Sequence, residues 1–163
     1  MSEGFQWVSP LWASVALFLV QGVLWLLIGV ATPFLLDAGA GGPAILIVSE
    51  RTDTAVFGSP PRDLLANDRR IATLRGILLR IVGGLLFAAS ALVIAVAWFG
   101  LRGGQSWALI TLVLVGAAVL PFWWVALRPY AGVPITLADL PPFMWVPAAL
   151  LVPASVLGWL GLG

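Results

Sequence analysis

The sequence has no cysteine and no histidine, and every one of its basic residues is an arginine. Without cysteine there is no disulfide, no thiolate metal site and no dithiol redox centre. With histidine missing too, the usual protein ligands of haem, zinc, copper and iron–sulfur clusters are gone, so no metal or other cofactor is expected. A Ser–His–Asp or Cys–His nucleophile is impossible for the same reason. Any chemistry would fall to Asp, Glu, Arg, Tyr, Ser or backbone groups, and no catalytic residue is assigned. Charge is equally scarce. Only 9% of the 163 residues are charged and the net charge is +1, which offers no attraction to nucleic acid.

What the chain has instead is hydrocarbon, with 61% hydrophobic residues. Globular proteins average roughly half apolar and a quarter charged residues, so both departures point the same way. A water-soluble domain could not cover itself with so few ionised groups. Lipid is therefore the expected solvent for most of the surface, and the length suggests one transmembrane domain over 1–163. The arginine-only bias, beside abundant Ala, Gly, Leu and Val, fits a GC-rich bacterial genome and hence a bacterial inner membrane.

A helix needs about twenty apolar residues to cross the hydrocarbon core. Four stretches qualify, at about 11–36, 81–99, 106–127 and 140–160. The first is too long for a signal peptide, and Met1–Trp7 carries Glu3 but no basic residue, so a retained helix is expected. The second and third are joined by the short turn Leu101–Gln105, which makes them antiparallel neighbours. The fourth opens with Pro141 and Pro142, follows Asp139 as a candidate cap, and contains Pro147 and Pro153, which should kink it.

Between the first two spans lies the one sizeable polar segment, 37–80. Asp37–Pro43 is glycine-rich and reads as a flexible exit. Ala44–Val48 and Thr54–Phe57 flank a polar turn and read either as a short β-hairpin or as a re-entrant or interfacial segment. From Arg62 to Arg80, Leu64, Ile71, Leu74 and Leu78 recur at helical spacing, predicting an amphipathic lead-in helix at the membrane surface. The expected fold is thus an all-α integral membrane four-helix bundle with a polar first loop.

Orientation follows the arginines. With four spans, both termini and the Arg102 turn share one side, which holds that single arginine. Arg51, Arg62, Arg69, Arg70, Arg75, Arg80 and Arg128 lie on the other. The positive-inside rule then places loop 37–80 in the cytoplasm and both termini outside. Trp7, Trp12, Trp98, Trp107, Trp123, Trp124 and Trp159 fall near span ends, as interfacial anchors do, whereas Trp25 and Trp145 lie deeper.

Apart from Arg80 at its margin, no span contains an ionisable group, which argues against a proton relay or a charged pore ring. Gln21 is the most conspicuous polar residue within a span. With Trp25 one turn later and Trp145, it could line a ligand site. The blander reading is an interhelical hydrogen bond to Ser90 or Thr111. Gly83, Gly84, Ala88 and Ala89, with Gly116–Ala118, form small-residue patches suited to packing between spans two and three. Arg69, Arg70, Arg75, Arg80 and Arg128 are candidates for gripping lipid headgroup phosphates, or are simply solvated topology signals. The loops also hold Asp53, Asp63 and Asp68 beside arginines, the groups a lipid-modifying enzyme would have to use.

The long first connection, the turn Gly100-Leu-Arg-Gly-Gly-Gln-Ser-Trp-Ala108 and the bundle size resemble small four-helix bacterial proteins of the DoxX-like kind. That resemblance implies the four-helix layout. The thiol-linked role suggested for some members would need partners, because this chain has no cysteine. No functional residue is carried over. The expected partners are membrane lipids and a larger membrane complex, with the chain as a non-catalytic accessory or scaffold subunit. The alternatives are a binder or carrier of a lipophilic small molecule and a membrane-embedded lipid-modifying enzyme.

Overall fold

The computed structural model describes residues 9–35, 45–136, 138–140 and 142–163. The expected glycine-rich exit Asp37–Pro43 and the segment Met1–Trp7 lie outside them. The described residues are helical, with no strand among them: α1 (Pro10–Leu35), α2 (Glu50–Phe57), α3 (Pro61–Asn67), α4 (Arg69–Ala95), α5 (Ser106–Ala126) and α6 (Pro142–Leu162). A π-turn over Val96–Gly100 and a 3-10 turn over Leu101–Gly103 extend α4, and a second 3-10 turn covers Arg128–Tyr130. Four of these helices are long and apolar enough to cross a membrane, namely α1, α4 with its extension, α5 and α6. Their outer faces leave Phe34, Phe99, Phe122, Trp124 and many aliphatic side chains exposed. So large an apolar surface suits hydrocarbon, not water.

α1 lies between α4 and α6 and is antiparallel to both, because Gly22 faces Ile94 and Gly29 faces Gly83, while Ser14 faces Gly158 and Leu11 faces Gly161. Its inward face carries Val15, Phe18 and Trp25, buried against Val93, Ala97, Leu101, Leu109, Leu112 and Ala154. The fully buried Ser14 hydroxyl donates to the Ala154 carbonyl at 2.6 Å, which ties α1 to α6 through a polar group that would otherwise be stranded. α1, α6 and the α4–α5 turn therefore meet at one end, called here the turn end.

That turn closes on Gly104 at φ +72, a left-handed conformation glycine adopts without steric cost. The Gly104 amide donates to Leu101 and the Gln105 amide to Gly100, a paired arrangement that satisfies carbonyls the helix end leaves free. Gly100 sits against Ala108, where an added Cβ would stand 2.7 Å from the alanine Cβ. Arg102 lies over the Trp98 ring at 4.4 Å and the Trp12 ring at 5.4 Å, so a cation bridges two tryptophans from different helices.

At the opposite end, residues 45–68 form a cap and depart from the hairpin reading. Thr54–Phe57, the expected second strand, belongs to α2. Two local effects favour the helix. Ser49 is its N-cap, its hydroxyl accepting from the Thr52 amide, and Glu50 and Asp53 place acid in the first turn. Residues 45–48 of the expected first strand instead give the Leu46, Ile47 and Val48 amides to the Asp53 carboxylate at 2.7–3.2 Å. One carboxylate does for this segment what a partner strand would have done. The lead-in helix is also broken in two. Asp68 takes an extended conformation and accepts from the Arg70 and Ile71 amides, ending α3 and starting α4.

The small residues of α4 pack differently from expectation. Gly83 faces Gly29 and Pro33 of α1, not α5, and Gly84 meets nothing within 4 Å. Gly116 of α5 faces Leu151 of α6. Each helix of the expected hairpin thus leans on a different neighbour.

Candidate ligand-binding groove

Because α4 leans toward α1 and α5 toward α6, the two helices joined at the Gly104 turn separate along their length. The space between them is a groove of about 460 Å³, within the roughly 300–1,000 Å³ range of small-molecule sites. Gln21, Trp25 and Ile28 of α1 line it, with Val82, Leu85, Leu86 and Ala89 of α4, Val115, Gly116, Val119, Leu120, Phe122, Trp123 and Ala126 of α5, and Pro147 and Ala148 of α6 contributing the walls. No charged side chain lines it.

Gln21 is the one strongly polar side chain in this lining, and it is 2% exposed. Its Oε1 is buried without a hydrogen-bond partner. The expected interhelical partners are engaged elsewhere: the Ser90 hydroxyl donates to the Phe87 carbonyl at 2.7 Å and the Thr111 hydroxyl to the Trp107 carbonyl at 2.9 Å. Both residues satisfy their own helices, as small hydroxyl side chains on apolar helices commonly do. Leaving a carboxamide oxygen buried and unpaired costs about 1–3 kcal/mol, which an occupant with a matching group would recover.

Trp25 follows Gln21 by one helical turn, lines the same groove and is 8% exposed. Side chains four apart on a helix are neighbours, so the carboxamide and the indole present themselves together. No described residue accepts a hydrogen bond from the indole N–H. Trp145 is not among the lining residues and is 42% exposed, so the structure brings together two of the three expected ligand-site residues. Trp123, Pro147 and Ala148 line the groove as well, although in sequence Trp123 stood out only as a span-end anchor, Pro147 only as a kink, and Ala148 only by an apolar character shared with much of the chain.

The arginines proposed for headgroups separate into two kinds. Arg69, Arg70, Arg80 and Arg128 are exposed. Arg75 is buried, and its Nε donates to the Ile45 carbonyl at 3.0 Å, holding the cap to α4. The acids are also occupied by structure. The Asp53 carboxylate is fully buried and takes the Tyr130 hydroxyl at 2.7 Å in addition to its three amides. Asp68 caps α4, and Asp63 stands exposed in the first turn of α3.

Burial, followed by the hydrogen bond to Asp53 and its charge, pushes the Tyr130 hydroxyl well above the ordinary tyrosine range. Asp139 receives the Thr136 amide and hydroxyl at 2.9 and 2.7 Å, with Ser49 at 3.5 Å and Arg51 at 4.0 Å. The Thr136 amide chiefly, and then its hydroxyl, hold this carboxylate below the ordinary range. Asp139 thereby joins the α5–α6 connection to the cap. No family model, curated protein or solved structure matches this chain.

Proposed function

We propose that this protein is a multi-pass membrane bundle that binds a lipophilic small molecule in the groove between α4 and α5. The observation that carries the reading is Gln21, a residue that lines an otherwise apolar groove and whose buried carboxamide oxygen has no partner. Natural proteins rarely leave such a group unsatisfied. The groove opens sideways between two helices whose outer faces are apolar, so a ligand dissolved in the bilayer reaches it without crossing water.

In this proposal the membrane is the bacterial inner membrane. The arginine-rich cap faces the cytoplasm and the turn end faces outward, following the arginine asymmetry. The exposed Arg69, Arg70, Arg80 and Arg128 then meet anionic headgroups of the cytoplasmic leaflet. The binding reading is tested by extracting the purified protein with organic solvent and analysing the extract by mass spectrometry. A stoichiometric lipophile is expected from the wild type. Ala148→Trp, which fills the groove from an exposed position on its rim, should remove it. An extract with no such compound, or one unchanged by Ala148→Trp, refutes the reading.

A second reading, as accessory subunit of a larger membrane complex, is favoured by a separate furrow between α5 and α6. This furrow of about 470 Å³ is lined by Leu109, Ile110, Val113, Leu114, Ser155, Val156, Trp159 and Leu160. The Ser155 hydroxyl is turned back onto the Leu151 carbonyl at 2.6 Å, which leaves the furrow apolar and suited to a partner helix. Stoichiometric partners in mild detergent are its expected outcome, and a monodisperse monomer counts against it.

A further inference from the structure

Resting on the groove reading, we propose that the occupant is a neutral lipophilic alcohol whose hydroxyl sits near the membrane mid-plane, between Gln21 and Trp25. Depth is the first argument. At the helical rise of 1.5 Å per residue, Gln21 lies roughly 16 Å from the Pro10 end of α1 and about 21 Å from the Leu35 end. A hydrocarbon core about 30 Å thick puts that position close to its centre. The polar group of a phospholipid stays at the interface, far from Gln21, whereas an uncharged alcohol can bring its hydroxyl to this depth.

Charge is the second argument. The groove has no arginine in its lining, and the exposed arginines other than Arg102, which lies at the turn end, are toward the cap end. A phosphate drawn down to Gln21 would be an unpaired charge in hydrocarbon, and the carboxamide could not compensate it.

Hydrogen-bond matching points the same way. Gln21 has an oxygen seeking a donor, and Trp25 one turn away has an N–H that no described residue accepts. A hydroxyl is both donor and acceptor, so one group satisfies both side chains. An ether or ketone could take the indole proton but would leave the carboxamide oxygen stranded. Rotation of the carboxamide exchanges its oxygen and nitrogen, and a hydroxyl matches it either way.

The test uses the full chain in phosphatidylcholine nanodiscs and three probes with one hydrocarbon tail. These are geranylgeraniol, its methyl ether and geranylgeranyl phosphate. Competition against tritiated geranylgeraniol should rank the alcohol roughly fivefold or more ahead of the other two, as expected for one buried hydrogen bond. Q21L should lower alcohol binding to the level of the ether while leaving ether binding in place. W25F should weaken the alcohol about threefold on the same grounds, and it keeps the test available if Q21L fails to fold. Ether or phosphate binding as tight as the alcohol overturns the alcohol inference but leaves the groove reading standing. Failure of all three probes to compete, with no copurifying lipophile, overturns both.

Discussion

Gly29 and Gly83 face one another across the α1–α4 contact, and each leaves room for the other's carbonyl. A Cβ on Gly83 would stand 2.7 Å from the Gly29 oxygen, and one on Gly29 would stand 2.9 Å from the Gly83 oxygen. The α-hydrogens therefore point at carbonyls, as at close helix crossings generally. Pro33 lies against Gly83 as well, and its missing N–H relieves the Gly29 oxygen of its usual intrahelical bond. This contact draws α4 onto α1 and so opens the groove on its other side.

Gly83→Ala and Gly29→Ala should each destabilise the protein by about 1–3 kcal/mol, the usual cost of overpacking a tight contact. Gly84→Ala is the control, since nothing lies within 4 Å of its added Cβ. Removing glycine from a helix interior there should be neutral or stabilising by up to about 1 kcal/mol. Thermal unfolding in one detergent would compare the three. Equal losses at Gly83 and Gly84 would show that the α1–α4 crossing is not the sensitive contact.

Gln21→Leu should have opposite effects on stability and binding. In the ligand-free protein it removes an unsatisfied buried oxygen at similar volume, a gain of about 1–2 kcal/mol. Affinity for the groove's occupant should fall at the same time. Unfolding of delipidated protein measures the first effect. A clear loss of stability would mean that the carboxamide contributes to the fold in the empty state.

Tyr130→Phe should loosen the cap. It deletes the hydroxyl that Asp53 accepts at 2.7 Å and leaves a buried carboxylate short of one donor, at a cost of about 1–3 kcal/mol. Protection of the 45–57 amides against hydrogen exchange would report it.

The same hydroxyl sets a pH dependence. Its titration point is raised on folding, so its contribution is complete below the unfolded value of about 10. Above that pH the unfolded tyrosine ionises first and the contribution is progressively lost. The alkaline loss of cap protection should therefore be smaller in Tyr130→Phe than in the wild type, and equal slopes would exclude Tyr130 as its source.

Arg102→Ala should cost about 1 kcal/mol, since the guanidinium lies against both Trp12 and Trp98. Arg102→Lys should recover part of that loss, because an ammonium keeps the charge without the flat stacking surface. Unfolding midpoints of the two variants would separate charge from stacking. An unchanged midpoint in Arg102→Ala would show that the contact adds nothing to stability.

Composition and run length alone determined the helical class and the four long apolar helices, because a stretch such as 10–35 with no charge has few stable states besides a helix in hydrocarbon. Gln21 and Trp25 were also legible as a pair, since the spacing of four is a local property of one helix. Which small residue meets which neighbour was decided only in three dimensions. The patch at Gly83 looks the same in sequence whether it packs on α5 or on α1, and that choice placed the groove. Asp53 shows the same limit at the cap. Two short runs flanking a polar turn read as strands on both sides of it, but a buried carboxylate collecting three amides and a tyrosine hydroxyl made a helix and a loop more favourable. Local pattern reports what each segment can form alone, and those long-range contacts outweigh it.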